Sequence, residues 1–389
     1  MVHKDNVRQA ILAERIFDGQ RWHDSAAVLI ADGRIQQICD SGTVPSGCER
    51  HQLPDGAILA PGFIDLQVNG GGGVLLNDDP TPAAMRAIAR AHRPFGTTAL
   101  LPTLITAARE KTVAAIAAAK EAGGSHGVLG LHLEGPFLNP KRAGVHPKQY
   151  IAQAEMRDLD WLLELADVGH SMITLAPECV PAGFIRALVS RGIRVCAGHT
   201  EASADVMQNA MAEGLSGVTH LFNAMPPFAG RTPGIVGTAL SDPRLMAGII
   251  IDALHVDPVS VRAAFAAKGP ERIALVTDAM PTVGASTKQF DLLGTKIALE
   301  NGRLVTSDGT LAGAHLDMAT AVQNAVRLAS IPLEHALVSA SLTAARFLGV
   351  EHEHGALVPA ARADLVALSS DLDVLATWVD GQREEARQN

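Results

Sequence analysis

Eight short apolar runs, each ending in polar or ionisable residues, set the strongest limit on how this chain can fold. They are FIDLQV (63–68), TTALLPT (97–103), GVLGLHLE (127–134), MITLAPE (172–178), GIRVCAGH (192–199), GVTHLFN (217–223), LMAGIIIDALH (245–255) and IALVTD (273–278). Segments with helix start and stop signals separate most of them. Thr81-Pro82 and Asp257-Pro258 each set a capping side chain before a proline suited to the first helical position. Gly214 follows SADVMQNAMAE, where a terminating glycine is expected. Near-continuous apolar strands alternating with helices imply a parallel sheet buried on both faces. Eight such units predict an α/β fold, a (β/α)8 TIM-like barrel whose active site lies at the C-terminal ends of its strands.

The two chain ends read differently. Residues 1–60 contain short alternating stretches such as AAVLIADGRIQQI, with Asp32-Gly33 as a hairpin turn, and residues 355–389 contain ADLVALSSDLDVLATWVDG. Together they predict one small β-sandwich domain, interrupted by a barrel over 61–354. A chain of 389 residues with 47% hydrophobic content can fill both cores. No apolar run is long enough to span a bilayer, and the start MVHKDNVRQA has no apolar signal segment. Cys39, Cys48, Cys179 and Cys196 form no CxxC pair and are expected to be reduced thiols in a cytoplasmic protein. A net charge of −9 with no basic run argues against a nucleic-acid surface. It does not exclude an anionic small molecule held by local groups.

Ionisable residues gather where the strands end. His132 and Glu134 close the third run, His199 the fifth, His220 lies in the sixth, His255 ends the seventh and Asp278 the eighth. A lone histidine there is usually a hydrogen-bonding residue, and a lone aspartate is often a helix cap. Their convergence on one face of a barrel makes accident a poor account. A carboxylate and two imidazoles form a zinc-type catalytic set with an open position for water, and Glu134, His199 and His220 fit it. Asp278 is then placed to act as the base. His132 shares a strand face with Glu134 one layer deeper, which suits support or packing. After the sixth run, NAMPPFAGRTPGIVG is too rich in Gly and Pro for a regular helix, and its one charge, Arg231, suits a phosphate or carboxylate. The segment PFLNPKRAGVHP brings His146 toward the same region.

These stretches resemble one family jointly. PGFIDLQVNG, LHLEGPF, GHTEAS, THLFNAMPP, DALHVDP, LVTDAM and LAGAHLDM, spread over nearly the whole chain, look like the N-acetylglucosamine-6-phosphate deacetylases of the amidohydrolase superfamily. The resemblance implies hydrolysis of the acetamide of a 2-acetamido sugar 6-phosphate. It implies one divalent metal (zinc, iron, cobalt or manganese) on Glu134, His199 and His220, and Asp278 as general base and acid. His146 would polarise the acetyl carbonyl, with Ala143, Gly144 and Val145 beside it. Asn223 and Ala224 would offer hydrogen bonds, and His255 and Arg231 would hold sugar and phosphate, the arginine reaching across a homodimer. Ala314 and His315 would stand at the acetyl pocket wall, where the family usually has a small polar residue after LAG. Val145 replaces a usual alanine, and Ala360 stands where a turn glycine is common.

One departure concerns the metal. Many amidohydrolases carry H-x-H on the first strand and bind two metals, whereas this chain has Gln67 and Asn69 there. Residues two apart on a strand face the same side, but amides are poor ligands beside imidazole and carboxylate. A single metal is expected, with both amides hydrogen-bonding to ligands, water or substrate. The nearest alternative is the same reaction on the 4-epimer, N-acetylgalactosamine 6-phosphate. Another amidohydrolase reaction and a non-catalytic barrel are weaker, because strand-one histidines and a bridging lysine are missing while the acid-base set is present.

Overall fold

The apolar runs pair in chain order around a barrel. In the computed structural model, which describes residues 9–124 and 126–385, they supply β1 (Phe63–Val68), β2 (Thr97–Ile105), β3 (His132–Glu134), β4 (Met172–Leu175), β5 (Arg194–Ala197), β6 (Gly217–Val218), β7 (Met246–Ile249) and β8 (Ile273–Leu275). Every ladder from β1 through to β8 is parallel. Closure comes just beyond β8, where Asp278 N donates to Gln67 O at 3.0 Å and Asn69 N to Ala279 O at 2.9 Å. Asp65 reinforces that seam from inside: its buried carboxylate accepts from the Thr277 hydroxyl at 2.5 Å and from the Gln67 backbone N–H at 3.1 Å. Burial pushes the Asp65 carboxyl up to about 7, against the pull of those donors.

The helix signals act as read. Thr81 caps Pro82–His92 by accepting from Ala84 N, Asp257 caps Pro258–Lys268 through Val259 N, and Gly214 takes φ +107° after Ala204–Ala212. The strands are shorter than the apolar runs. GVTHLFN contributes only Gly217–Val218 to the ladder. His255 lies in a loop six residues past the end of β7. The Gly/Pro-rich segment after β6 also yields a helix sooner than expected, because Gly234–Ser241 is helical.

The chain ends form one sheet. Strand Ile58–Pro61 pairs antiparallel with Leu365–Leu368, joining the N-terminal strands Gln9–Phe17, Trp22–Ala31, Arg34–Asp40 and Glu49–Gln52 to the C-terminal Val374–Val379 and Gln382–Glu385. Its own core is built on fully buried Trp378 with Ile11, Ile16, Ile35 and Leu59. The first eight residues, expected to lack a secretory signal, lie outside the described residues. A three-stranded sheet, Gln289–Leu292, Thr295–Glu300 and Arg303–Val305, follows β8. The sequence reading did not anticipate it, although Gly294 and Asn301-Gly302 are turn signals between alternating stretches.

Ala360 holds a left-handed φ of +71° in the turn leading to Leu365–Leu368, while its amide donates to Ile35 O at 2.8 Å. A Cβ in that region costs about 1–2 kcal/mol. Ala360→Gly is therefore expected to stabilise the fold by about 1 kcal/mol, read as a higher denaturant midpoint at unchanged m-value; a lower midpoint would contradict the strain.

Candidate metal centre and catalytic pocket

Three strand ends bring their ligand atoms to one point. His220 Nε2 lies 2.9 Å from Glu134 Oε1 and 3.1 Å from His199 Nε2, which is itself 3.1 Å from the same carboxylate oxygen. All three residues are buried. His199 Nδ1 contacts the Arg142 carbonyl at 2.7 Å. A carbonyl only accepts, so that nitrogen carries the proton and Nε2 presents a lone pair. A lone pair facing a second imidazole nitrogen and a carboxylate oxygen at 3.1 Å asks for a cation between them. The donor set therefore fits a metal ion of the zinc class. Burial raises the Glu134 carboxyl, but the two imidazoles bound to it outweigh burial and hold it well below its ordinary range.

Backbone geometry aims these groups. His199, His220 and Asp278 take φ of +48°, +33° and +52°, each just past its strand. Such conformations cost about 1–3 kcal/mol each and persist only where the surroundings enforce them. The bend at His199 also needs Gly198, since a Cβ there would sit 2.6 Å from Thr174 Cγ2.

The two amides answer the question posed by strand one. Gln67 Nε2 donates to Glu134 Oε2 at 3.1 Å and to Asp278 Oδ1 at 3.0 Å, and Asn69 Nδ2 donates to the same Asp278 oxygen at 2.6 Å. Amide N–H groups thus stand between a buried carboxylate, Glu134, and a half-buried one, Asp278. Burial, and then the charge of Glu134, push the Asp278 carboxyl up to about 6. Asn69 Oδ1 is buried without a hydrogen-bond partner.

A cavity of about 260 Å³ opens above this centre. Of the residues singled out from sequence, Asn69, Glu134, Gly144, Val145, His146, His199, His220, Asn223, Ala224, His255 and Asp278 line it. His146 brings a ring nitrogen within 4.8 Å of ligand atoms of Glu134 and His199, while its Nδ1 sits 2.9 Å from the Thr106 hydroxyl. His255 is braced by Asp252, with Nδ1 at 2.6 Å from Oδ2. His132 lies beneath, fully buried between Thr103 and Thr174 at 3.2 and 2.8 Å.

Four positions fall elsewhere. His315 is not at the acetyl wall: its Nδ1 meets Thr282 Oγ1 at 2.9 Å and its ring lines a different cavity with Asp317. Gly313, two residues before it, takes φ +63°. Ala314 is buried and touches the site through its backbone, donating to Asp278 O at 2.9 Å. Ala143 is buried behind the lining and accepts from His146 N at 3.0 Å. Arg231 is exposed in its loop, outside the lining of this pocket. Sequence reasoning passed over Ile105, Ile250, Met280, Thr310, Leu311 and Gly313, which complete the wall. Leu311 and Gly313 lie inside the LAGAHLDM stretch, so only their orientation was hidden.

Comparison with known proteins agrees with this geometry. Residues 58–383 match the amidohydrolase family. The chain belongs to the amidohydrolase family. It is 41% identical to the N-acetylgalactosamine-6-phosphate deacetylase of Shewanella sp. (strain ANA-3), covering 94% of each chain. It is 38% identical to the N-acetylglucosamine-6-phosphate deacetylase of Homo sapiens over 86% of each. The crystal structure of N-acetylglucosamine-6-phosphate deacetylase from Pasteurella multocida superposes with a TM-score of 0.93 at 35% identity, over 97% of this chain and 99% of that one.

In this amidohydrolase the bridging amide is a specific point of dependence. Gln67→Leu keeps the volume but removes the N–H between two carboxylates, and the hydrolysis rate is expected to fall about 10- to 100-fold with the unfolding transition preserved. Full rate in that variant would show the bridge to be dispensable.

Proposed function

We propose that this amidohydrolase removes the acetyl group from N-acetyl-D-glucosamine 6-phosphate, yielding D-glucosamine 6-phosphate and acetate. The observation that carries the reading is the convergence of Glu134, His199 and His220 beside Asp278 in one cavity, in a chain alike end to end to deacetylases of phosphorylated amino sugars.

Each residue then has a defined task. One divalent metal per subunit, held by Glu134, His199 and His220, would supply Lewis acidity and make a water acidic enough to act near neutrality; zinc suits the mixed N/O set. Asp278 takes the proton from the attacking water and delivers it to the departing amine nitrogen. Its carboxyl at about 6 is poised both to accept and to release a proton. Gln67 and Asn69 hold that carboxylate in place. With Nδ1 accepting from Thr106, His146 turns an Nε2–H toward the acetyl oxygen. Asn223 and Ala224 contact the sugar, and His255, steadied by Asp252, takes a hydroxyl. Arg231, on the exposed loop that begins at the pocket rim, binds the 6-phosphate of a neighbouring subunit in a homodimer. A phosphorylated substrate suits a cytoplasmic setting. The catalytic unit is assigned to 61–354, with 1–60 and 355–389 as the two parts of the small domain.

The 41% identity to a galactosamine-directed relative favours a second substrate, the 4-epimer. The assay that tests both readings is acetate release from the two sugar phosphates and from unphosphorylated N-acetylglucosamine. Expected are release that depends on the phosphate, loss on chelation with recovery on adding zinc, and a higher kcat/KM for the gluco sugar. A reversed ratio would make the galacto sugar the substrate. Asp278→Asn is expected to lower kcat by about 10²- to 10⁴-fold with metal retained; normal turnover would remove Asp278 from its role. Zinc-saturated, desalted protein is expected to hold one ion per chain, and two at full occupancy would overturn the reading of the strand-one amides.

A further inference from the structure

The barrel's other end holds an arrangement that the deacetylase reading does not use. A pocket of about 230 Å³ is lined by Arg194, Arg244, Arg272 and Arg346 together with Ser216 and Glu271. The arginines come from distant parts of the chain. Arg194 is the first residue of β5, Arg244 shortly precedes β7, Arg272 immediately precedes β8, and Arg346 lies on the helix Leu342–Leu348. The barrel brings together the entrances of successive strands, and with them four guanidinium groups on one concavity.

Their charge is poorly compensated. Arg244 is committed to Asp242, with Nη2 at 2.7 Å from Oδ2. Arg346 stands 3.6 Å from Glu271, itself largely exposed. Among the described residues no acidic side chain pairs with Arg194 or Arg272. Nearby, Lys268 is pushed down to about 8, chiefly by burial, with the Arg272 charge adding to it and Asp242 opposing it. The concentration is notable in a chain whose net charge is −9.

We propose that this pocket is a second binding site, for a small phosphorylated metabolite whose phosphate is gripped by Arg194 and Arg272. Guanidinium forks match the oxygens of a phosphate, and two unpaired forks facing one concavity suit a dianion better than a carboxylate. A polyanion is a poor candidate, because the remainder of the surface carries the opposite net charge. The site does not depend on the reading of the catalytic pocket, which lies at the far ends of the same strands.

The test is calorimetric titration of the metal-loaded protein with inorganic phosphate at fixed ionic strength, comparing wild type with Arg194→Gln/Arg272→Gln. Beyond any phosphate taken up at the catalytic pocket, the wild type is expected to show a class of phosphate sites that the double variant loses or binds at least 10-fold more weakly, while acetate release by the variant stays at the wild-type rate. Replacing phosphate by chloride should give no saturable heat. A readout that a structural role would not produce accompanies this. In phosphate-free buffer the variant should unfold at the wild-type temperature or above, because repulsion is relieved, and phosphate should raise the wild-type midpoint more than the variant's. Identical phosphate isotherms for the two proteins, or a variant that unfolds well below the wild type in phosphate-free buffer, would overturn the proposal.

Discussion

Two carboxylates bridged by one amide, Glu134 buried and Asp278 half-buried, are the constraint around which this molecule is organised. Glu134 and Asp278 share the mouth of the barrel, and neither can be charged there without donors or cations nearby. The structure meets the demand from two sides. Imidazoles of His199 and His220 crowd one oxygen of Glu134, where a metal ion would complete the neutralisation, and the Gln67 amide reaches its other oxygen while also holding Asp278. The outcome is two acids of opposite character from one pair: Glu134 held well below its ordinary range and Asp278 lifted to about 6. That separation suits the ligand and the base proposed for them.

The barrel makes such an arrangement affordable. Parallel strands deliver their last residues to one rim, and the residues immediately beyond bend into left-handed conformations that few side chains adopt freely. The local cost is carried by a continuous apolar core and by polar ties beneath the rim. Asp65 with Thr277 stitches β1 to β8, and His132 between two threonines spans the neighbouring strands. These ties fix where Glu134 and Asp278 stand without touching anything in the cavity. The same geometry gathers strand entrances at the opposite end, which is why four arginines far apart in sequence share a pocket.

Much of the fold was legible because its signals are local. Apolar runs, proline after a capping residue and glycine after a helix each reflect a preference within a few residues. The convergence at the rim was legible too, because a parallel barrel sends strand ends to one face, so that residue types and strand order are enough to bring Glu134, His199, His220 and Asp278 together. The pairing of chain ends into one sheet followed from matching alternation at both termini.

What lay beyond the sequence were orientations and distances. Strand length was overestimated at GVTHLFN, because the backbone leaves the ladder to aim His220, and hydropathy does not register a change in φ. His315 was placed at the acetyl wall, yet it lines another cavity, against Thr282. The carbonyl of Arg142 that fixes His199, and the arginine pocket, depend on contacts between residues remote in the chain. The sequence by itself determined the barrel, the split small domain and the chemical types at the rim, since these rest on periodicity and short-range preference. Only the tertiary structure decided which side chains meet, because contact between distant strands is set by packing and closure.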